Sequence, residues 1–181
     1  MDTRDRTPLQ QPMRRFTGSH ERITGGLQEL KELPRLAVFL ARARSNAAAT
    51  LALFDNVVPK HHEEEEQELF VAAQRSCSDA PECHRVRALV DQLTAQHRAI
   101  EKLWTKLRPD VALVAAGKVP LTQDFDVAAR TLVDVYFAHA KLEEEDFLPL
   151  ADAILSRNAN HMAALDLALH MRNVPTPSAY I

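Results

Sequence analysis

The sequence predicts an all-α protein, an up-down-up-down four-helix bundle, and three observations carry that reading. The 181 residues are 46% apolar but hold only 4 glycines and 6% aromatics, a composition that favours long helices over turn-rich sheet. Four segments repeat apolar residues at alternating steps of three and four, the spacing of one helical face. Each of those four seams is interrupted by one histidine: His20, His61, His97 and His139. The length allows one sizeable core and argues against two, so one domain with tails is expected.

Residues 1–15 are polar, contain Pro8 and Pro12 and show no helical period, so they read as an arm outside the bundle of residues 16–156. The first seam runs Phe16, His20, Ile23, Leu27 and Leu30; Pro34 either kinks this helix or begins its next turn, and Ser45-Asn46 is a candidate cap before an alanine-rich second helix. The second helix runs to about Arg75 with the seam Phe54, Val58, His61, Glu65, Leu69 and Ala72, and Ser76 to Pro81 forms the turn. A third helix, from about Glu82 to Ala116, has the most regular seam: Val86, Val90, Leu93, His97, Ile100, Trp104, Leu107, Val111 and Val114. Pro109 is expected to kink or split it. Gly117 fits a helix stop and Thr122 an N-cap, which places a fourth helix from about Gln123 to Leu155, with Leu132, Tyr136, His139, Glu143, Phe147, Leu150 and Ile154 on its seam. Residues 157–181 hold a short fifth amphipathic helix, about Asn158 to Met171, and a proline-containing tail.

A net charge of -3 and a pI near 6.2 give no general attraction to phosphate backbones or anionic membranes, so nucleic acid is not an expected partner. No stretch approaches the roughly 18 apolar residues of a membrane span, and no apolar segment of a secretory signal follows Arg4 and Arg6. A soluble, cytoplasmic monomer or homodimer is expected. Cys77 and Cys83 read as two free thiols in a helix connection. The alternatives are a pairing across that short loop, or a zinc site with His84 that would be one ligand short. His84, His161 and His170 fall outside the four seams and read as surface or helix-end residues.

The chemistry lies in the seam histidines. Two of them are followed four residues later by a glutamate on the same face, His61 by Glu65 and His139 by Glu143. Burying an unpaired carboxylate is costly, so two carboxylates facing four imidazoles ask for a cation between them. The heights agree. His61 lies about 14 residues before the end of its helix and His97 about 15 after the start of the next, a few ångströms apart in level at about 1.5 Å per residue. Two histidines per metal, with carboxylates bridging a pair, is the inventory of a dinuclear iron or manganese site.

In this order the sequence resembles the hemerythrin-like, or HHE cation-binding, domains over roughly residues 16 to 155: H on the first helix, H-x-x-x-E on the second, H on the third and H-x-x-x-E on the fourth. The second segment reads HHEEEEQELF (His61 to Phe70) and the fourth HAKLEEEDFLP (His139 to Pro149). The resemblance implies His20, His61, His97 and His139 as ligands, Glu65 and Glu143 as bridges, and an oxo- or hydroxo-bridged pair of iron ions, with manganese or zinc as substitutes. His62 with Glu66 has the same spacing as His61 with Glu65 but falls off the seam, and Glu144 is an alternative to Glu143. The rest of the acidic run reads as a solvated face.

The oxygen carriers of that family have a histidine four residues after the third-helix ligand, where this chain has Glu101, either an additional carboxylate ligand or an exposed partner for Lys102 or Arg98. That departure makes simple oxygen storage a poorer expectation than reaction with dioxygen, nitric oxide or peroxide, or a response to iron or oxidant. A cavity lined by Leu93, Ile100, Trp104, Tyr136 and Phe147 is expected around the metals, and a binding protein is expected rather than a dedicated enzyme. Two other readings stand beside this one. A ferritin-like oxidase would need Glu-x-x-His motifs, which the chain lacks, and a metal-free helical interaction module would use the histidines only to bond one another.

Overall fold

A computed structural model describes residues 10–120 and 123–173, with side chains for 17–120 and 123–170. The first nine residues of the expected arm, the Phe16 side chain, the expected cap Thr122 and the tail from residue 174 lie outside the described residues. The chain divides into two units, one up to Ser45 and one from Asn46 onward. No strand occurs among the described residues, and no helix is long and apolar enough to cross a membrane.

Helix α1 spans Gln10–Ala52 and accounts for every described residue of the first unit. Residues 10–15 are therefore helical rather than an irregular arm. Pro34 sits inside the helix without ending it, and Ser45-Asn46 is not a cap, because α1 continues through both and Thr50 Oγ1 donates to the Asn46 carbonyl at 2.9 Å. The first seam forms as a helical stripe, but it stays exposed: Ile23 keeps 58% of its surface, Leu27 and Leu30 57% each.

In the second unit the expected second helix is built from short α pieces joined by wide π turns. A π turn at Leu53–Val57 leads into α2 (Val58–Glu64), a second at Glu65–Leu69 leads into α3 (Phe70–Ser76), and each closes with an N–H reaching five residues back, Val58 to the Leu53 carbonyl and Phe70 to that of Glu65. Helix α4 (Ala80–Ala115) continues through Pro109, so the chain is not split there. Helix α5 (Phe125–Leu142), a third π turn (Glu143–Phe147) and α6 (Leu148–Leu155) form the return segment. Prolines explain two of these turns. Pro59 and Pro149 each lack an N–H and crowd the carbonyl four residues earlier, and a wider turn just upstream relieves both problems.

Local signals set the ends. Asp79 caps α4 by accepting from the Glu82 N–H at 2.8 Å, with Pro81 in the first turn where no donor is needed. At the far end Gly117 takes φ 74°, the left-handed stop expected of it. The Gly117 and Lys118 amides then return to the carbonyls of Val114 and Leu113 at 2.9 and 2.8 Å.

The thiols are not free. Cys77 and Cys83 are disulfide-bonded with Cα atoms 5.3 Å apart, because the extended backbone at Cys77 (ψ 142°) turns its side chain toward the first turn of α4. Arg157, past α6, donates to Glu82 and Ser78 at 2.7 Å, tying the return segment to the same corner. Closing so short a loop constrains the unfolded chain modestly, so reduction is expected to cost about 2 kcal/mol. Urea unfolding with and without reductant, alongside a free-thiol count, checks this; identical midpoints would show that the bond contributes nothing.

Two apolar clusters fill the unit. Phe70, Val86, Leu93, Phe147 and Ile154 form one; Ala47, Ile100, Trp104, Leu107 and Leu132 form the other. On α4, His97 lies between Leu93 of the first and Ile100 of the second, so a polar layer separates the two cores. Helix α7 (Ala159–Asn173) packs against α3, α6 and the second π turn.

Candidate metal centre

The polar layer consists of side chains that fold at a cost. His62, His97 and His139 are buried to 1% exposure or less, and Glu65 and Glu143 to 5% and 7%. The His62 and His97 rings stack with centroids 3.9 Å apart, and His139 meets His97 edge-on at 4.8 Å. Glu65 and Glu143 each begin a π turn, the second and the third. A π turn fits one extra residue into the helix and so re-aims the side chains beside it, which is why such turns gather at functional sites.

Two sets of potential ligand atoms, each within 4.8 Å of one another, follow from this packing: His62 with His97 and His139, and His61 with Glu65 and Glu143. His61 is about half exposed, its Nε2 3.1 Å from Glu65 Oε1, while His97 Nε2 lies 3.3 Å from Glu65 Oε2 and His139 Nε2 3.8 Å from Glu143 Oε2. Five buried side-chain atoms among the described residues have no hydrogen-bond partner, and all belong here: both His62 nitrogens, His97 Nε2, His139 Nε2 and Glu65 Oε2. Leaving a buried polar atom unpaired costs about 1–3 kcal/mol, so five at one place call for something that satisfies them together. The donor set of imidazole nitrogens and carboxylate oxygens fits a first-row transition metal.

The sequence model of the Hemerythrin HHE cation binding domain matches residues 11–151. The chain belongs to that family. No curated protein and no solved structure gives a match.

Membership in the HHE family and the cluster together fit a cation site, and the residues can be placed one by one. His97, His139, Glu65 and Glu143 come together as their seams imply. The second helix differs: His62, set aside as off the seam, is the buried imidazole, and His61 is the exposed one beside the carboxylates. Val58 and Glu65 point inward as the seam predicts, and between them the buried position falls on His62, four residues after Val58, instead of on His61. His20 belongs to the first unit and is exposed on α1; both ligand sets are drawn wholly from the second unit. Glu66 is not in either set but accepts from His97 Nδ1 at 2.8 Å. Glu101 is held by Arg98 at 2.7 Å and stays 3.6 Å from His62 Nδ1, and Glu144 is exposed at the rim.

The expected cavity also moves. Leu93, Ile100, Trp104 and Phe147 are closed core above and below the polar layer. The opening beside the ligands, about 450 Å³, is instead walled by Tyr136, Leu148 and Leu169 with His61, Glu65 and Glu143. Phe54 stacks on Trp104 at 4.9 Å, and Trp104 Nε1 and Arg108 both donate to Asp55, which fastens the first π turn to α4.

Charge in this layer is finely divided. Burial lowers the His62 pKa to about 3 and that of His139 to about 4, so both rings are neutral and have lone pairs to offer. Burial raises the Glu143 carboxyl well above the carboxylate range, and its hydrogen bond with Glu65 and the charge of Glu65 push the same way. For Glu65 burial also acts upward, but contacts with His97 and Glu143 outweigh it and hold this group low. One proton is thus shared by the pair and sits on Glu143.

These shifts predict how the metal-free protein responds to pH. Between pH 4.5 and 6.5 the unfolded chain protonates His62 and His139 while the folded chain does not, and the folded chain alone holds the Glu143 proton. The unfolded state then binds about one proton more, so stability rises with pH by roughly 1 kcal/mol per unit. Above pH 6.5 only the Glu143 difference remains, and its sign is opposite. Metal-free stability is expected to peak near neutrality and fall on both sides, which thermal unfolding across pH 4–9 measures; a flat profile would contradict it.

Proposed function

We propose that this chain carries a non-haem di-iron centre that binds or reacts with a small diatomic or peroxidic ligand, or responds to iron or oxidant. The observation that supports it most is the convergence of five unpaired buried donor atoms on one polar layer. A single ion would leave one of the two ligand sets unused. His62, His97 and His139 would hold one metal, His61 would serve the second, and Glu65 and Glu143 would lie between them. An iron pair supplies electrons and an open coordination position for a small oxidising ligand.

The protein's own part is to dry and shape the surroundings. The two apolar clusters seal the layer from above and below, so access runs through the opening walled by Tyr136, Leu148 and Leu169. Its size admits a diatomic or peroxidic molecule and leaves room for waters that must be displaced. The Glu143 carboxyl oxygen stores the proton that has to leave before both carboxylates can bind cations.

Iron analysis of protein from iron-supplemented cells, with a near-ultraviolet spectrum, tests the assignment. About two irons per chain are expected. Stopped-flow mixing of the reduced protein with oxygen, peroxide and nitric oxide then separates a reversible adduct, which means carriage, from consumption, which means turnover. Failure to bind iron under any condition would leave a metal-free helical module as the better description.

A further inference from the structure

The three consecutive residues Gln96, His97 and Arg98 do different work on the same layer. Successive residues of a helix point about 100° apart, so the two neighbours of His97 reach to opposite sides of it. Gln96 reaches α5, where its Oε1 accepts from His139 Nδ1 at 3.2 Å. Arg98 reaches the second π turn, where it donates to Glu66, and Glu66 in turn accepts from His97 Nδ1 at 2.8 Å. Arg98 also holds Glu101 at 2.7 Å.

Both hydrogen bonds decide which nitrogen faces the centre. A carboxylate or amide oxygen can only accept, so Nδ1 carries the proton in each ring and the Nε2 lone pair is left over. Those Nε2 atoms are two of the five unpaired buried atoms. The acceptors, however, are unlike. His97 donates to an anion that Arg98 steadies, His139 donates to a neutral amide, and His62 has no hydrogen-bond partner at either nitrogen. A carboxylate partner makes an imidazole a stronger donor to metal than an amide does.

Resting on the metal-centre reading above, we infer that Glu66 and Gln96 are positioning residues that make the three buried imidazoles unequal, with His97 the strongest metal donor. Glu66 therefore acts through His97 and is not a ligand. Its carboxylate also explains the otherwise off-face acidic residue of the second π turn. Arg98 contributes by holding that carboxylate in place.

Competition titration of Co²⁺ against a chromophoric chelator tests this on wild type, Glu66→Gln, Gln96→Glu and Arg98→Met, with thermal unfolding of each metal-free protein as the control for folding. Glu66→Gln keeps an acceptor and removes the charge, so affinity is expected to fall about tenfold or more. Gln96→Glu is expected to move it the other way, and Arg98→Met to move it as Glu66→Gln does but less. A Glu66→Gln protein with wild-type affinity, or the same direction of change in Glu66→Gln and Gln96→Glu, would overturn the inference while leaving the metal centre standing. A wild type that binds no Co²⁺ would end both.

Discussion

Glutamine in place of Glu143 is expected to lower metal affinity by on the order of a hundredfold or more while leaving metal-free stability within about 0.5 kcal/mol of wild type. The contrast follows from where the proton sits. Without metal the Glu143 carboxyl is held protonated by burial and by Glu65, and it shares its proton with that residue. A glutamine amide has nearly the same shape and donates N–H where the acid donated O–H, so the folded layer has no reason to change. With metal the situation reverses, because the carboxylate must shed its proton to become a ligand and an amide cannot become an anion. Loss of an outer partner already costs 10–100-fold in typical sites, and loss of a ligand should exceed that. Urea unfolding of the metal-free variant and a Co²⁺ titration separate the two effects. A variant destabilised by 2 kcal/mol or more without metal would show that the carboxyl serves the fold instead.

How far the centre could be read in the sequence depends on where the helices depart from 3.6 residues per turn. Helix α4 contains no π turn, and its seam from Val86 to Val111 is buried residue for residue as the periodicity predicts, His97 included. The second helix contains two. Counting from Phe54 at the α-helical step reaches His61, Leu69 and Ala72, but the buried residues are His62, Phe70 and Ala73. Phe70 and Ala73 are each one position later, the offset that one extra residue at Glu65–Leu69 introduces, whereas His62 lies between Val58 and Glu65, which are buried as the seam predicts. After Glu143, Phe147 and Ile154 are buried as the seam predicts, with Ala151 buried in place of Leu150. A signal was present in Pro59 and Pro149, each shortly after the start of a π turn, although the second π turn has no proline after it.

Other features were illegible for different reasons. Cys77 and Cys83 gave a spacing that a loop could either close or leave open, and only the extended backbone at Cys77 decides between them. Ser45-Asn46 has the composition of a cap, yet capping residues are tolerated inside a helix when the neighbouring alanines favour it. Gln96 and Arg98 lie off the seam and carry no motif; they gain meaning only from the imidazole and carboxylate that other segments bring to them.

Leucine in place of His62 is expected to change stability and binding in opposite directions. His62 is 1% exposed, its two nitrogens have no partner, and burial disfavours its charged form so strongly that protonation offers no escape. An apolar side chain of similar volume removes both unpaired atoms and keeps contact with the His97 ring, so the metal-free variant should be more stable by about 1–3 kcal/mol. It should also lose stoichiometric metal uptake, because one of the two ligand sets loses a third of its donors. In His61→Leu, by contrast, the replaced imidazole is about half exposed and lies against Glu65, so no comparable gain in stability is expected. Thermal unfolding of the metal-free proteins, paired with iron content, checks the sign. A His62→Leu protein that is both less stable and still able to take up two irons would mean that this imidazole serves ordinary core packing, and that the unpaired nitrogens are satisfied without metal.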